Sequence, residues 1–193
     1  FKRRNRRYYG LESNMEKSKK DFEDSDYDDM IQSFDEKHDE GVILCGTRLE
    51  YLPPAQEAYS DTGGGIYNAY SIDGPIFYEF IDDIDFSYTK NPHCTVEDII
   101  INMEILSRGY KIGKFDEFLY STDFGSDGGC STFRTVNEVK SGLQMIKNRF
   151  PNYIQILDKE IVNGQPKVRV FWSKLINDLP NLKDRPTLED FFG

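Results

Sequence analysis

The stretch Thr95-Val-Glu-Asp-Ile-Ile-Ile-Asn-Met-Glu-Ile-Leu-Ser-Arg-Gly-Tyr110 constrains the fold of this chain more than any other. Thr95 suits the N-cap of a helix, and Gly109 suits its end. Ile99, Met103, Leu106 and Tyr110 share one face, while Ile101 and Ile105 lie well round from it. A helix apolar over so much of its circumference has to be buried rather than laid on a surface. Glu97 and Asp98 then sit at its positive dipole end, where a buried helix meets a loop. Acids held there by a rigid element beside a cleft are candidates for chemistry. The spacing has a plainer reading too: Thr95-x-x-Asp98 is a capping-box-like pattern, and acids are ordinary in a first helical turn.

The length of 193 residues fits one domain with a proper core. With 14 Phe and 12 Tyr, core and cleft are expected to be aromatic-rich. No apolar run approaches a membrane span, and no secretory signal is visible. Cys45, Cys94 and Cys130 are odd in number and lack C-x-x-C spacing, which argues against a disulfide framework or a zinc knuckle. A reducing, intracellular and cytoplasmic setting is the expectation.

Charge is segregated along a chain whose net charge is -10. Residues 1–9, FKRRNRRYY, contain only bases among their charged groups, whereas residues 10–40 carry twelve acids against four lysines. Arg3, Arg4, Arg6 and Arg7, with Tyr8 and Tyr9, suit contact with phosphates and stacking on bases. They equally suit pairing with the acidic segment that follows.

Helices are expected over Ser25–Lys37, with Ser25 as N-cap and Tyr27, Met30, Ile31 and Phe34 on one face, and from Thr135 to Phe150. The second has a Thr135-x-x-Glu138 capping box, apolar residues Val136, Val139, Leu143, Ile146 and Phe150, and Pro151 as its stop. Strands are expected at 41–46, within 63–74, where a glycine-rich entry leads into a strand closed by a turn, and at Ile76–Ile81, Ile84–Tyr88 and Tyr110–Tyr120. Tyr153–Ile161 and Lys167–Trp172 flank Asn163-Gly164 and read as a hairpin. Residues 173–193, with Pro180 and Pro186, form a tail expected to wrap the surface. Strands alternating with helices, plus an added C-terminal β-hairpin, predict an α/β domain with a mixed central sheet flanked by helices.

Several chemistries are excluded by missing patterns. There is no phosphate-binding G-x-x-x-x-G-K-[ST], no G-x-G-x-x-G after a strand, no H-E-x-x-H and no G-x-S-x-G. His38 and His93 are the only histidines and neither lies in a ligand pattern, so acid–base chemistry would fall to carboxylates. Gly63-Gly64-Gly65 and Gly128-Gly129-Cys130 either make turns or let backbone N–H groups approach a ligand. D-x-D triplets stand at Asp24/Asp26, Asp26/Asp28 and Asp83/Asp85. The first two fit the start of a helix better than a cation; in the third both side chains would share one face of a strand.

The Gly-Gly-x-Tyr-Asn strand, the hydrophobic pair after it, and a helix opened by Glu97-Asp98 and closed by Gly109-Tyr110 together resemble the second half of GT-A-fold glycosyltransferases. Gly128-Gly129-Cys130-Ser-Thr-Phe-Arg134-Thr resembles the closing loop of the TET-associated glycosyltransferases, phage-type enzymes proposed to add sugars to hydroxymethylated pyrimidines in DNA. The similarity covers roughly residues 41–150. The family's first half, a nucleotide-binding α/β unit ending in an acidic metal motif, is not recognisable. The expectation is a single glycosyltransferase-like domain over 1–193 that lacks its N-terminal nucleotide-binding half.

What the resemblance implies is transfer of a sugar from a nucleotide-sugar donor to a hydroxyl. Asp98 would be the base, with Glu97 a second candidate or an orienting group. Gly64, Gly65 and Asn68 would line the donor or acceptor side. Gly129, Cys130 and Arg134 would close over the diphosphate. A divalent cation, Mn or Mg, is implied, with ligands upstream of residue 1; the alternatives are Asp83/Asp85 or catalysis without metal. A modified base in DNA is the implied acceptor, met by Arg3, Arg4, Arg6 and Arg7, in a phage-encoded protein acting within a bacterial host. A protein or glycan acceptor, or a non-catalytic binding domain, are the competing expectations.

Overall fold

The computed structural model describes residues 1–4, 19–50, 57–61, 65, 70–80, 96–121, 135–162 and 165–178. Its centre, among the described residues, is a mixed six-stranded sheet. Strands β1 (Lys2–Arg4), β2 (Lys19–Asp21), β3 (Val42–Leu49), β5 (Tyr70–Ile72) and β6 (Lys111–Tyr120) lie in the order β2-β1-β6-β3-β5. The short β4 (Tyr59–Ser60) also pairs with β6. β3 and β6 run parallel; every other pairing in the sheet among the described residues is antiparallel.

Helices cover both faces. α1 (Asp24–Asp39) places Phe34 against Val42, Cys45, Phe115 and Phe118. On the opposite face, α3 (Glu97–Ser107) and α4 (Val136–Arg149) enclose the larger core with Ile43, Leu44 and Ile112 of the sheet. The antiparallel hairpin β7 (Ile154–Val162) and β8 (Gln165–Val170) and helix α5 (Trp172–Asp178) pack on that side through Ile154 and Leu175. The expected α/β architecture with its added hairpin is therefore present.

α3 is buried as its composition requires: Met103 and Ile105 have no exposure, and Ile100 and Leu106 have almost none. Gly109, at φ 94°, closes it. The Gly109 N–H donates to Leu106 O and the Tyr110 N–H to Ile105 O, the paired bonds of a Schellman end. Thr135 caps α4 as expected, its hydroxyl accepting the Glu138 N–H.

Three expectations need correction. Residues 76–80 of the strand expected at Ile76–Ile81 are not extended, and Ile81 lies outside the described residues; Gly74–Phe80 forms helix α2. Pro75 lies in its first turn and the Phe77 N–H donates to Asp73 O, so the Asp-Gly-Pro start outweighs the apolar run. α1 starts earlier than expected, with Glu23 rather than Ser25 at its N-cap, because the Asp26 carboxylate reaches back to the Glu23 N–H at 3.0 Å. On that helix Tyr27 and Ile31 remain exposed, and Asp26 is buried instead. Trp172 and Ser173 belong to α5, not to an extended strand and tail. Ile84–Tyr88 and residues 179–193 lie outside the described residues.

Candidate functional site

α3 leads through the Gly109 turn directly into β6, and it packs back along that strand. Its 11 residues rise about 16 Å, the length of roughly five residues of strand. The N-terminus of α3 thus stands level with the middle of β6, toward the C-terminal ends of the parallel pair β3 and β6.

Asp98 lies in the first turn of α3 and is half-buried. Its Oδ1 accepts the Ile99 N–H at 2.8 Å, so part of its role is to cap the helix. Val96 is the N-cap and has no side-chain acceptor; Thr95, the expected cap, lies outside the described residues. Glu97 is the first residue of the helix, and its side chain lies outside the described part.

Asn102, one turn on and 1% exposed, ties this end to the glycine-rich loop. Its Nδ2 donates to Asp98 O at 2.7 Å, and its Oδ1 accepts the Gly65 N–H at 3.2 Å. Gly65 has a φ of 92°, a left-handed conformation open to glycine. The structure therefore joins the backbone of Asp98 to Gly65 through Asn102, a residue that sequence reasoning passed over. A polar side chain in the middle of an apolar helix was the signal.

A second polar group lies on the same face of the sheet. Lys114 pairs in register with Gly46, two residues before Arg48, and is two residues beyond the core residue Ile112. Arg48 Nε and Asp116 Oδ1 form an ion pair at 3.0 Å, with Asp116 buried. Burial pushes the Lys114 ammonium down, the nearby Arg48 adds to this, and Asp116 opposes it. The β3–β6 register breaks here: β3 steps from Thr47 to Arg48 while β6 steps from Phe115 to Leu119. Bulges of this kind re-aim side chains beside functional sites.

The basic N-terminus is built into the sheet. Arg3 Nη1 contacts Asp26 Oδ1 at 2.7 Å and Asp29 Oδ2 at 2.6 Å, and Nη2 stands 3.8 Å from Glu117 Oε2. Of the two readings of this stretch, Arg3 follows the one in which it pairs with the acidic segment. Arg4 contributes a strand residue opposite Lys19. Asp26 also accepts from Lys20 at 2.9 Å, so the triplets Asp24/Asp26 and Asp26/Asp28 have their central carboxylate occupied by two cations. His38 is likewise engaged, Nδ1 with Val42 O at 2.6 Å and Nε2 with Ser71 Oγ at 3.0 Å.

Another missed residue is Glu104, 1% exposed, which binds both Arg108 and Arg149 and so joins α3 to α4. Gly64, Asn68, Gly129, Cys130, Arg134, Arg6, Arg7, Asp83, Asp85 and His93 lie outside the described residues. Among the described residues no group of three or more His, Cys, Asp or Glu side chains is placed to hold a metal ion, and no helix is long and apolar enough to cross a membrane. Neither a protein-family model, nor a curated protein, nor a solved structure matches this chain.

Proposed function

We propose that this chain is a glycosyltransferase domain that moves a sugar from a nucleotide-sugar to a hydroxyl acceptor, with Asp98 as the base. The observation that carries this reading is the pair of Asn102 bonds, to the backbone carbonyl of Asp98 and to the Gly65 N–H, which joins the helix turn that bears a half-buried carboxylate to a glycine of the glycine-rich run. In the reaction Asp98 takes the proton of the acceptor hydroxyl as its oxygen attacks the anomeric carbon. The bond from that carbon to the donor phosphate breaks, and the nucleoside diphosphate leaves with the electron pair. The dipole of α3 favours the ionised carboxylate needed at the start.

A hydroxymethylated pyrimidine in DNA is the proposed acceptor, within a phage-infected bacterial cell. The base would leave the helical stack to reach the carboxylate. Arg4, Arg6 and Arg7 would meet the phosphates, since Arg3 is held by Asp26 and Asp29. A divalent cation does not fit the triplets Asp24/Asp26 and Asp26/Asp28, because Asp26 is already neutralised by Arg3 and Lys20, and no step is routed through one.

The test is transfer from radiolabelled nucleotide-sugars to hydroxymethylated DNA, with glycan and protein acceptors in parallel. Asp98→Asn is expected to lower transfer by about a hundredfold or more while the fold persists. Turnover equal to that of the unmodified protein would remove Asp98 from the chemistry. A second reading, a non-catalytic domain, draws on the Asp98 Oδ1 bond to the Ile99 N–H, which is ordinary capping. It predicts no transfer to any acceptor and a loss of stability alone in Asp98→Asn.

A further inference from the structure

We infer that the outer face of the β7–β8 hairpin binds a single strand of nucleic acid, with Arg169 and Lys174 on its phosphates and Phe171 as the platform on which a base stacks. The surface does not depend on sugar transfer, and its test is separable from that of the proposed function.

Alternation along β8 is the first argument. Pro166 is buried, and Val168 and Val170 pack toward the core, which turns Lys167 and Arg169 outward, both exposed. The ladder continues one residue past the strand, since the Phe171 N–H donates to Tyr153 O at 2.8 Å. Phe171 therefore stands on the same face as Arg169, about 7 Å further on. It is 37% exposed, enough to leave the ring open to a partner. Gln155, opposite Arg169 in the register, is exposed beside it. Lys174 of α5 closes the row: its Nζ donates to Asn152 O at 3.4 Å and lies 5.4 Å from the centre of the Tyr153 ring. Cations spaced along an extended strand, with an exposed ring among them, fit a backbone that carries a charge at each step and a flat base beside it.

Charge is the second argument. Residues 135–178, which span α4, the hairpin and α5, hold seven Lys or Arg against four Asp or Glu, in a chain whose net charge is -10. The balance counts every acid of the segment, so it holds whatever each base is paired with. α1, on the opposite face of the sheet, holds seven acids against one lysine. The two faces therefore differ in sign, and the bases are in surplus on the hairpin side. At physiological salt a charge acts over about 8 Å, so a polyanion meets the face it approaches rather than the net charge. It is attracted to one side of this molecule and repelled from the other, which also orients it. An acidic peptide would use the cations and leave the ring without a role, whereas a nucleic-acid strand uses both.

Fluorescence anisotropy of a short labelled oligothymidine titrated with the full chain, over a salt series, tests this. Binding is expected, with an affinity that falls as salt rises. Arg169→Gln should weaken it about tenfold and make the slope of log affinity against log salt shallower by about 0.7. Phe171→Leu should also weaken it about tenfold but leave that slope unchanged, because a lost stacking platform releases no counterion. Both positions are exposed, so the variants are expected to keep the fold, which circular dichroism checks. Undiminished binding by a folded Arg169→Gln or Phe171→Leu overturns the inference, and so does the absence of binding. Displacement of the oligonucleotide by polyglutamate at equal charge concentration overturns it too, by making the face a site for acidic peptides. Self-association that Arg169→Gln abolishes would do the same, by giving the face to α1 of a second copy. Oligothymidine binding by a chain that transfers no sugar would leave this inference standing and remove the proposed function; transfer without such binding would do the reverse.

Discussion

The side-chain oxygen of Asn102 accepts the backbone N–H of Gly65 at 3.2 Å, fastening a glycine-rich loop to the interior helix. Its amide nitrogen meanwhile holds Asp98 O at 2.7 Å. Both bonds are part-buried around a side chain with 1% exposure, so neither group recovers a full water partner when Asn102 is shortened. Asn102→Ala is expected to cost about 2 kcal/mol, read as a lower urea midpoint at unchanged m-value. A drop under about half a kcal/mol would mean that the loop does not depend on this bridge.

Asp26 sets the acid limit of the N-terminal strand pair. Burial pushes its carboxyl up, but the Glu23 N–H, Arg3 and Lys20 outweigh this and hold it at about 2, below the ordinary 3.8. A folded value below the unfolded one means that the ionised carboxylate stabilises the fold fully above pH 3.8, and that this contribution is lost as pH falls through about 2. Asp26→Asn should therefore be less stable by about 2 kcal/mol at neutral pH, with the gap closing as pH falls toward 2. Urea unfolding of both proteins across the acid range reads this directly. A gap that stays constant with pH would show that charge at Asp26 is not what matters.

The elements legible from sequence were those whose signals are local. Gly109 marked the end of α3, Thr135 and Glu138 marked the start of α4, and Asn163-Gly164 announced the β7–β8 hairpin. β1 and β2 were not legible, because Lys2-Arg3-Arg4 and Lys19-Lys20-Asp21 carry no apolar alternation. Distant partners make them strands: Phe118 under the Arg3 guanidinium, and Glu50 2.9 Å from the Lys2 ammonium. Lys114, Arg48 and Asp116 were hidden for the same reason. Each reads as one more charged residue until the parallel pairing of β3 with β6 sets them on one face. Asp98 was visible because a helix N-terminus announces itself, whereas its tie to Gly65 crosses a long stretch of chain.

Cys45 sits on β3 with no exposure, packed beside Phe34 and Phe115, and burial pushes its thiol from 9.0 up to about 12. At pH 8 only roughly one molecule in ten thousand would carry the reactive thiolate. In a Cys94→Ser/Cys130→Ser background, the native protein should give essentially no colour with a disulfide reagent at pH 8, and one equivalent after denaturation. Rapid reaction without denaturant would place Cys45 at an opening in the α1 face of the sheet.

Gly142 lies inside α4, where alanine would ordinarily add about 1 kcal/mol through helix propensity. A Cβ at this position, however, would stand 2.7 Å from Cγ2 of Val96, the buried N-cap residue of α3. Val96 is β-branched and has few rotamers through which to give way. The close approach of α4 to the start of α3 thus depends on glycine, and overpacking should win over propensity. Gly142→Ala is expected to destabilise by about 1–3 kcal/mol, seen as a lower Tm. The partner test is Val96→Ala, which opens room for the new methyl. Combined with it, Gly142→Ala should cost less than it does alone, a coupling of about 1 kcal/mol between neighbours. Strict additivity of the two changes would mean that α4 shifts as a whole, and that Val96 does not fix the distance between the helices.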